Sequence, residues 1–455
     1  MKKTFSILAF SVCLIVVSML AAAQSSAVIS KKIAPELLKR DLAALQDTLQ
    51  KVHPGLYRYK DKQTIDRLFA QSLARIDRPM TTVEYYSIVS YLVSGIEDGH
   101  TECFLPDNLI GEMMGGVKIF PIQLRFIGKH AFVPCDTKSF PSGTEILSID
   151  GKPIDAIRQD LFAHLSSDGS IQTGKYVKIN EGHDPFSYLY LVVNCYHTEF
   201  KVEYKNGQGT GFKVLQAVLF NDMECPPAED KVSKYLDLAY KPDHIAVLTV
   251  KSFAGERMQK TGENYADFLE ASFAAIKDKK VDRLIIDLRE NDGGDDGNGE
   301  LLYAYLTDKP FPYYAAVGSV SENFKPAEHP NLAIQQSREN NYIGKVYFLV
   351  RGKTYSSAAE FSSVAKSNNR GTFIGEETGG GYYGNTSGAR ATFFLPATGI
   401  RVNLPLDKYV TAVKKTTFKD RGVIPDHIVI PSIEDILHQK DVQLDYALKM
   451  AGQNE

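Results

Sequence analysis

An apolar run followed by small hydroxyl residues decides the fold of this chain. Residues 346–361 read VYFLVRGKTYSSAAEF, which is five large apolar residues, a short polar turn and a helix-forming segment. Residues 283–294 read RLIIDLRENDGG, again an apolar run that leads into a glycine-containing loop. Such runs, bounded by turn residues, are typical of strands buried in a parallel sheet. The sequence therefore predicts an α/β fold, in which functional residues gather at the carboxyl ends of the strands.

The same alternation of strands and helices continues through the carboxy-terminal half. An amphipathic helix with Tyr265, Leu269 and Phe273 on one face follows the apolar strand Ile245–Val250. Repetition of this kind is typical of a mostly parallel sheet that is covered by helices. The predicted elements are strands at 245–250, 284–286, 346–350 and 372–374, and helices at 265–276, at 300–306 and after Ser357.

Two regions with different patterns precede this half. In the first, leucines recur at three- and four-residue steps, and Thr81 with Glu84 forms a capping box, so a helical unit is predicted. In the second, short alternating segments end at the hairpin turns Asp150-Gly151 and Asn206-Gly207, which predicts a β-rich module. The predicted domains are a helical unit at 29–110, a β-rich module at 111–234 and an α/β domain at 235–455.

The amino terminus predicts a signal peptide over residues 1–23. Lys2 and Lys3 precede the apolar run Phe5–Leu20, which ends in the small residues Ala21–Ala23. This run is short for a membrane span, and no second run approaches that length, so we expect no stable span after its removal. The expected location is periplasmic or secreted.

The composition is that of an ordinary soluble globular protein. Hydrophobic residues make up 44% and charged residues 24%, with a net charge of −3. A chain of this charge does not bind nucleic acid through bulk positive charge, so no nucleic-acid partner is expected. The 455 residues suggest roughly three domains.

Four cysteines lie beyond the predicted signal peptide. They are Cys103, Cys135, Cys195 and Cys225. Export would place them in an oxidising compartment, where they allow three pairings that the sequence does not distinguish. Buried free thiols fit the sequence equally well. The spacing lacks the CxxC pattern of a metal or redox site, and no metal or cofactor is expected.

Three segments have the residues for nucleophilic catalysis. A serine near 356–357 follows a strand and faces the amino terminus of a helix, whose free N–H groups stabilise developing negative charge. The glycines at 293–294 can turn their N–H groups towards a ligand. His100 follows a glycine that ends a helix, and a neutral imidazole can take a serine proton, with His53 as the rival histidine. Taken singly, each segment also fits a structural role as a cap or turn.

Together these segments resemble the S41 family of serine peptidases, the tail-specific or carboxy-terminal-processing group with its tricorn-like and nisin-resistance-type members. The resemblance spans most of the chain after the signal peptide. It is carried by four motifs that occur in the order of the family: Asp-Leu-Arg to Gly-Gly at 287–294, Ser-x-x-Glu at 357–360, Gly-Glu-x-Thr-Gly-Gly at 375–380, and Gly-Val-x-Pro-Asp at 422–426. The resemblance implies an α/β, ClpP/crotonase-like peptidase domain, with the amino-terminal helical unit and a PDZ-like β-module.

The resemblance also implies roles for individual residues. Ser357, three residues before Glu360, matches the nucleophile, with Ser356 as its neighbouring alternative. His100 matches the base of the tricorn-like members, because the stretch where other members carry a lysine reads Gly-Gly-Gly-Tyr at 379–382. The oxyanion hole falls to Gly293 or Gly294 with the N–H of Ala358. Asp420 is a candidate acid for orienting the histidine, and a backbone carbonyl is the alternative.

The expected function is an exported serine endopeptidase that cleaves peptide bonds by acyl transfer through a Ser–His pair. Its expected partner is a protein or peptide substrate. Two alternatives share the scaffold: a catalytically inactive peptide- or ligand-binding protein, and a hydrolase of non-peptide acyl groups. Covalent labelling by a fluorophosphonate separates an active site from an inactive one.

Overall fold

The computed structural model describes residues 30–181, 186–194, 197–226 and 232–453. The predicted signal peptide at 1–23 and Cys195 lie outside the described residues. Within these ranges, no helix combines the length and the apolar character that a membrane crossing requires.

The predicted α/β architecture is present in the carboxy-terminal half as a six-stranded sheet, called the central sheet below. The first two strands pair antiparallel and every later pair is parallel. In spatial order the strands are Leu236–Lys241, Ile245–Val250, Arg283–Asp287, Lys345–Val350, Thr372–Gly375 and His427–Ile428.

Helices cover both faces of the central sheet. Leu248, Ile286 and Phe348 point to one face and are fully buried in the largest apolar core, because consecutive strand residues alternate between faces. Ile285 and Leu349 point to the other face, against the last helix. The helices of this half are Gly255–Lys260, Tyr265–Asp278, Asp296–Ala304, Ser357–Ser367, Ile433–Leu437 and Val442–Gly452.

The middle region contains a second sheet, which is antiparallel. Its main strands, in spatial order, are Gly209–Gln216, Glu199–Asn206, Glu145–Ile149, His130–Phe132 and Arg125–Ile127, and Lys152–Pro153 also pairs with Glu145–Ile149. Both predicted hairpin turns are present. A purely β-rich description is incomplete, because three helices lie here: Ile154–Phe162, Thr173–Glu181 and Phe186–Asn194. The last is rich in aromatic and β-branched residues that favour strands locally, and tertiary packing overrides that preference.

Three long helices form the amino-terminal part: Pro35–Val52, Lys62–Ala74 and Thr82–Gly95. The predicted capping box is present, with Thr81 and Glu84 each accepting a hydrogen bond from the main chain of the other. The core of these helices is shared with Val402 and Leu404, which come from the other end of the chain.

A third sheet explains that shared core and joins the two ends of the molecule. Strand Glu102–Phe104, directly after His100, pairs antiparallel with the long strand Arg401–Thr411. Thr386–Phe394 and Tyr314–Gly318 also pair with that long strand. This pairing carries the loop at 98–101 to the carboxyl edge of the central sheet.

The remaining elements are short. The strands are Lys32–Ile33 with Met80–Thr81, Lys118–Ile119 with Val218–Leu219, and Phe311–Pro312 with Ile334–Gln335. The helices are Asp107–Gly116 and the 3₁₀ turns Phe220–Asp222 and Pro330–Leu332. Of the cysteines, Cys135 and Cys225 form a disulfide within the middle region, and Cys103 is a buried free thiol.

Candidate active site

Ser356 lies on a strained turn between a central strand and a helix. Five residues separate it from the end of strand Lys345–Val350, and helix Ser357–Ser367 begins directly after it. Its backbone has φ 52° and ψ −129°, which is a costly region for a residue with a side chain. A serine held in this way on a sharp strand-to-helix turn presents its hydroxyl outwards, as a nucleophile elbow does.

Two glycine loops lie directly against this turn. A Cβ on Gly293 would lie 2.7 Å from Ser356 Cβ, and Gly293 itself has φ 104°. A Cβ on Gly380 would lie 2.7 Å from Ala359 Cβ and 3.1 Å from Ser356 N. Both glycines are therefore required for the main chain to approach the serine so closely.

The imidazole of His100 lies beside this serine. Its Nε2 is 3.2 Å from Ser356 Oγ, and its Nδ1 is 3.0 Å from the Tyr355 hydroxyl. The rings of His100 and Tyr355 are stacked, with centroids 4.7 Å apart. A hydroxyl, an imidazole and a phenol thus form one continuous chain of contacts.

The structure brings His100 into contact with Ser356, whereas the predicted nucleophile Ser357 has a different partner. Ser357 Oγ donates a hydrogen bond of 3.1 Å to the carbonyl of Gly294 and has 2% of its surface exposed. Spacing from Glu360 selects Ser357, but the helix begins only at Ser357, so its side chain turns away from the imidazole. The contact partner of His100 is the preceding residue, on the non-helical turn.

Burial keeps His100 uncharged. It lowers the pKa of His100 to about 4, although the nearby Asp98 carboxylate works in the opposite direction. At neutral pH the ring is therefore a neutral imidazole, the form that can accept a proton from a hydroxyl.

Two buried aspartates lie beneath the histidine. Asp98 Oδ1 accepts hydrogen bonds from His100 N at 3.0 Å and from both the N–H and the hydroxyl of Thr101. Asp168 Oδ1 accepts from Gly99 N at 2.8 Å, and its Oδ2 accepts from Gly381 N at 3.1 Å. Burial and the Asp98 charge raise the pKa of Asp168 to about 6.

Neither Asp168 nor Tyr355 was predicted as a site residue. Asp168 lies in a Ser-Ser-Asp-Gly stretch of the middle region that resembles an ordinary turn. Its position at the site depends on contacts with Gly99 and Gly381, which are distant in sequence. Tyr355 did offer a signal, since it directly precedes the serine pair.

The predicted orienting acid, Asp420, contacts the site only indirectly. Its main-chain carbonyl accepts a hydrogen bond from Ser170 N at 2.9 Å and so supports the loop that carries Asp168. The carboxylates of Asp98 and Asp168 each have an oxygen within 4.8 Å of a ring nitrogen of His100. In the described part of the chain, the Asp420 side chain forms no hydrogen bond with the ring, and its role as orienting acid stays a prediction.

Of the groups predicted for the oxyanion hole, the N–H groups of Gly293 and Ala358 have acceptors in the structure, and that of Gly294 has none. The N–H of Ala358 donates to Tyr355 O at 3.0 Å, and the N–H of Gly293 donates to Asn291 Oδ1 at 2.9 Å. Within the described ranges, the N–H groups of Gly294 and Ser357 have no acceptor. The two groups left available line the same cavity as Ser356.

The rival bases form contacts elsewhere. Lys353 forms an ion pair with Glu290 at 2.9 Å, and Lys366 forms one with Asp426 at 2.6 Å. His53 is buried, with Nε2 2.7 Å from Thr101 Oγ1, so it supports the loop that carries His100. None of these groups contacts Ser356 in the described part of the chain.

The remaining predicted motifs brace the site. Glu377 accepts two hydrogen bonds from the Arg421 guanidinium, each at 2.7 Å, and one from Gly422 N. Glu360 lies one turn beyond the serines, where its carboxyl accepts from the Tyr314 hydroxyl at 2.6 Å and from the Asn385 amide at 2.9 Å. Burial raises the pKa of Glu360 to about 7. These contacts fix the helix and the glycine loops relative to each other.

Asp98, His100 and Asp168 also have the spacing of a metal site, with one ligand atom from each lying within 4.8 Å of the others. The carboxylate oxygens of Asp98 and Asp168 already accept hydrogen bonds from main-chain N–H groups, and Asp98 also accepts one from the Thr101 hydroxyl. A donor set of this kind fits a buried hydrogen-bond network better than a cation site.

A cavity of about 720 Å³ opens over these groups and is large enough for several residues of an extended chain. His100, Ser356 and Gly294 line it. Polar side chains line it as well, including Arg257, which pairs with Asp292 at 2.6 Å. The cavity thus brings a hydroxyl, a neutral base and two free N–H groups to one accessible surface.

Comparisons with known proteins give a family match within the carboxy-terminal half and a fold for most of the chain. The model of peptidase family S41 matches residues 244–429. The structure of mature CPAF is similar at 12% identity, with 91% of this chain and 96% of that chain covered and a TM-score of 0.62. The structure of mature CPAF complexed with lactacystin is similar at 14% identity, with 91% of this chain and 97% of that chain covered and a TM-score of 0.60. A search of curated proteins gave no match.

Proposed function

Since this chain is a serine-type peptidase of family S41, we propose that it cleaves peptide bonds with Ser356 as nucleophile and His100 as general base. The contact of 3.2 Å between Ser356 Oγ and His100 Nε2 is the observation that carries the proposal. Separations of about 2.6–3.2 Å are expected of a nucleophile and its base.

The proposed reaction is acyl transfer in two stages. Ser356 Oγ attacks the peptide carbonyl while its proton passes to His100 Nε2, and the carbonyl π electrons move to the oxygen. The N–H groups of Gly294 and Ser357 stabilise that oxyanion. His100 then protonates the leaving amine, and water repeats the sequence to release the acyl group. The low pKa of His100 favours proton return to the leaving group.

The proposed substrate is a protein or peptide outside the cytoplasm, in the periplasm or the surrounding medium. The predicted signal peptide supports export, and the Cys135–Cys225 disulfide fits an oxidising compartment. We retain the proposed domains 29–110, 111–234 and 235–455, of which the last contains the family match.

We also propose that the middle region is PDZ-like, since it combines an antiparallel sheet with helices. Its edge strand Arg125–Ile127 lies beside helix Thr173–Glu181, where a PDZ domain would add a peptide strand. Here the Asn180 side chain bonds both main-chain groups of Phe126, at 2.8 Å and 2.9 Å. A peptide would have to displace Asn180 to pair with this edge.

Fluorophosphonate labelling of two neighbouring variants tests the nucleophile. We expect Ser356→Ala to abolish labelling and casein hydrolysis, because the attacking oxygen is lost. Ser357→Ala keeps its N–H and loses one hydrogen bond to Gly294, so we expect a reduction of only a few-fold. Ser362→Ala, in the same helix, is the control for a lost buried hydroxyl.

The opposite pattern, with labelling lost in Ser357→Ala and kept in Ser356→Ala, would move the nucleophile to Ser357. A folded wild-type protein without labelling would indicate an inactive binding protein. Labelling with hydrolysis of small esters and no cleavage of casein would indicate a non-peptide acyl hydrolase.

A further inference from the structure

A serine–histidine pair needs a third group at Nδ1 of the imidazole. That group fixes the tautomer in which Nδ1 carries the proton and Nε2 can accept one, and it stabilises the imidazolium that forms. In a typical triad the group is a carboxylate in direct contact with the ring. In this chain the atom at Nδ1 is the oxygen of a phenol, 3.0 Å away on Tyr355.

We propose that Tyr355 and Asp168 together act as positioning residues for His100, with the phenol between the imidazole and the carboxylate. The inference rests on the proposed function, because it assigns His100 the role of base. The proposed chain runs from Ser356 Oγ through the two ring nitrogens to the Tyr355 hydroxyl and then to Asp168.

The geometry around Gly99 supports the second half of this chain. A Cβ on Gly99 would collide with the Tyr355 hydroxyl and would lie 3.1 Å from Asp168 Oδ1. The phenol oxygen and the carboxylate thus converge on the same small volume, which is vacant only because residue 99 is glycine. Asp168 is itself buried, with 1% of its surface exposed.

The phenol is suited to relay a hydrogen bond without losing its proton. Burial, with the neighbouring Asp168 and Asp98 charges, raises the pKa of Tyr355 well above its usual range. A neutral phenol accepts from Nδ1–H through its oxygen and donates its own O–H onwards. Its ring also stacks on the imidazole and limits rotation of His100.

Two hydrogen bonds hold the carboxylate in its place. The N–H groups of Gly99 and Gly381 bond to separate oxygens of Asp168, at 2.8 Å and 3.1 Å. One glycine belongs to the histidine loop and the other to the glycine loop beside the serine. Asp168 therefore connects the two loops that meet at the site.

Steady-state kinetics on Tyr355→Phe and Asp168→Asn test the proposal. Tyr355→Phe keeps the stacked ring and removes the hydroxyl, so we expect kcat to fall about 10–100-fold with KM within about threefold. Asp168→Asn should give a similar fall. Since both act through one chain of hydrogen bonds, the double variant should be little worse than either single variant.

Tyr59→Phe is the matched control, because Tyr59 is another phenol that the Asp168 charge affects. We expect its kcat to stay within about twofold of wild type. A Tyr355→Phe variant that keeps wild-type kcat, or single losses that multiply in the double variant, would overturn the proposal.

A second readout separates this proposal from the proposed function. Nitrogen NMR of the His100 ring, assigned with His100→Gln, should show the Nδ1–H tautomer in wild type and a mixture in Tyr355→Phe. A tautomer that Tyr355→Phe and Asp168→Asn leave unchanged overturns the positioning role, even when Ser356→Ala abolishes activity. A changed tautomer in a protein without hydrolysis supports the hydrogen-bond chain and refutes the proposed function instead.

Discussion

The two halves of the candidate site are built in different ways. The serine turn at 351–357 is local, since one strand, one turn and one helix contiguous in sequence place Ser356. The histidine loop at 98–101 has no such local support, and it reaches the serine because the strand after it pairs with Arg401–Thr411. A local turn can be read from sequence, whereas a loop placed by a distant partner needs the fold.

The largest expected effect comes from removing the proposed base, His100, which the pairing of strand Glu102–Phe104 with Arg401–Thr411 places at the site. His100→Gln should lower kcat by about 10⁴-fold, because Ser356 loses its proton acceptor. The double variant with Ser356→Ala should be no worse than either single variant, since the two residues act as one unit. Hydrolysis of a fluorogenic peptide at pH 7.5 measures kcat for each variant. A lower kcat in His53→Gln than in His100→Gln would indicate that His53 is the base.

The sequence predicts the serine turn well because its signals are contiguous. The apolar run Val346–Val350 and the small residues after it predict a strand, a turn and a helix, and all three are present. Ser357 is predicted by its spacing from Glu360, whereas the serine in contact with His100 is Ser356. Sequence spacing does not reveal which of two adjacent serines takes the positive φ that points it at the imidazole.

The histidine side was predicted only in part. His100 was identified through the family resemblance, but the strand pairing that delivers it and the role of Tyr355 are not visible in local patterns. Asp168 lies about 70 residues further along the chain in the middle region, in which no site residue is predicted. A residue that contributes through packing has no periodicity of its own to reveal it.

The serine turn at 351–357 can be tested by adding one methyl group to Gly293, which lies against it. In Gly293→Ala the new Cβ lies 2.7 Å from Ser356 Cβ, at a backbone φ of 104° that disfavours alanine. We expect a loss of about 1–3 kcal/mol in the free energy of unfolding and strongly reduced fluorophosphonate labelling. Gly297→Ala, in the next helix with open space around it, is the control. Equal labelling of both variants would show that the turn does not depend on this approach.

The histidine loop at 98–101 also contains a glycine in a close contact, Gly99. In Gly99→Ala the new Cβ collides with the Tyr355 hydroxyl, so the imidazole and the phenol must separate. We expect kcat to fall about 10–100-fold with a smaller change in stability than for Gly293→Ala, because φ at residue 99 is ordinary. Gly111→Ala, which meets nothing within 4 Å, is the control. A Gly99→Ala variant with normal kcat would contradict the close arrangement of Gly99, Tyr355 and Asp168.

The smallest expected effect is a change in the pH dependence of kcat/KM. It reports on the support of His100 by Asp168 and not on the serine turn. Burial and Asp98 raise the pKa of Asp168 to about 6, while the pKa of His100 is lowered to about 4. The charged groups that face Asp168 are Asp98 and Arg58, with the phenols of Tyr355 and Tyr59 beside it.

As the pH falls through about 6, Asp168 gains a proton before His100 does and loses the negative charge that the proposed chain places next to the Tyr355 phenol. The value of kcat/KM should therefore fall a few-fold near pH 6 in wild type and fall again near pH 4. In Asp168→Asn the step near pH 6 should vanish while the step near pH 4 remains. If both steps persist in that variant, the group that titrates near pH 6 is another one, and Asp168 does not support the histidine in the way that its position indicates.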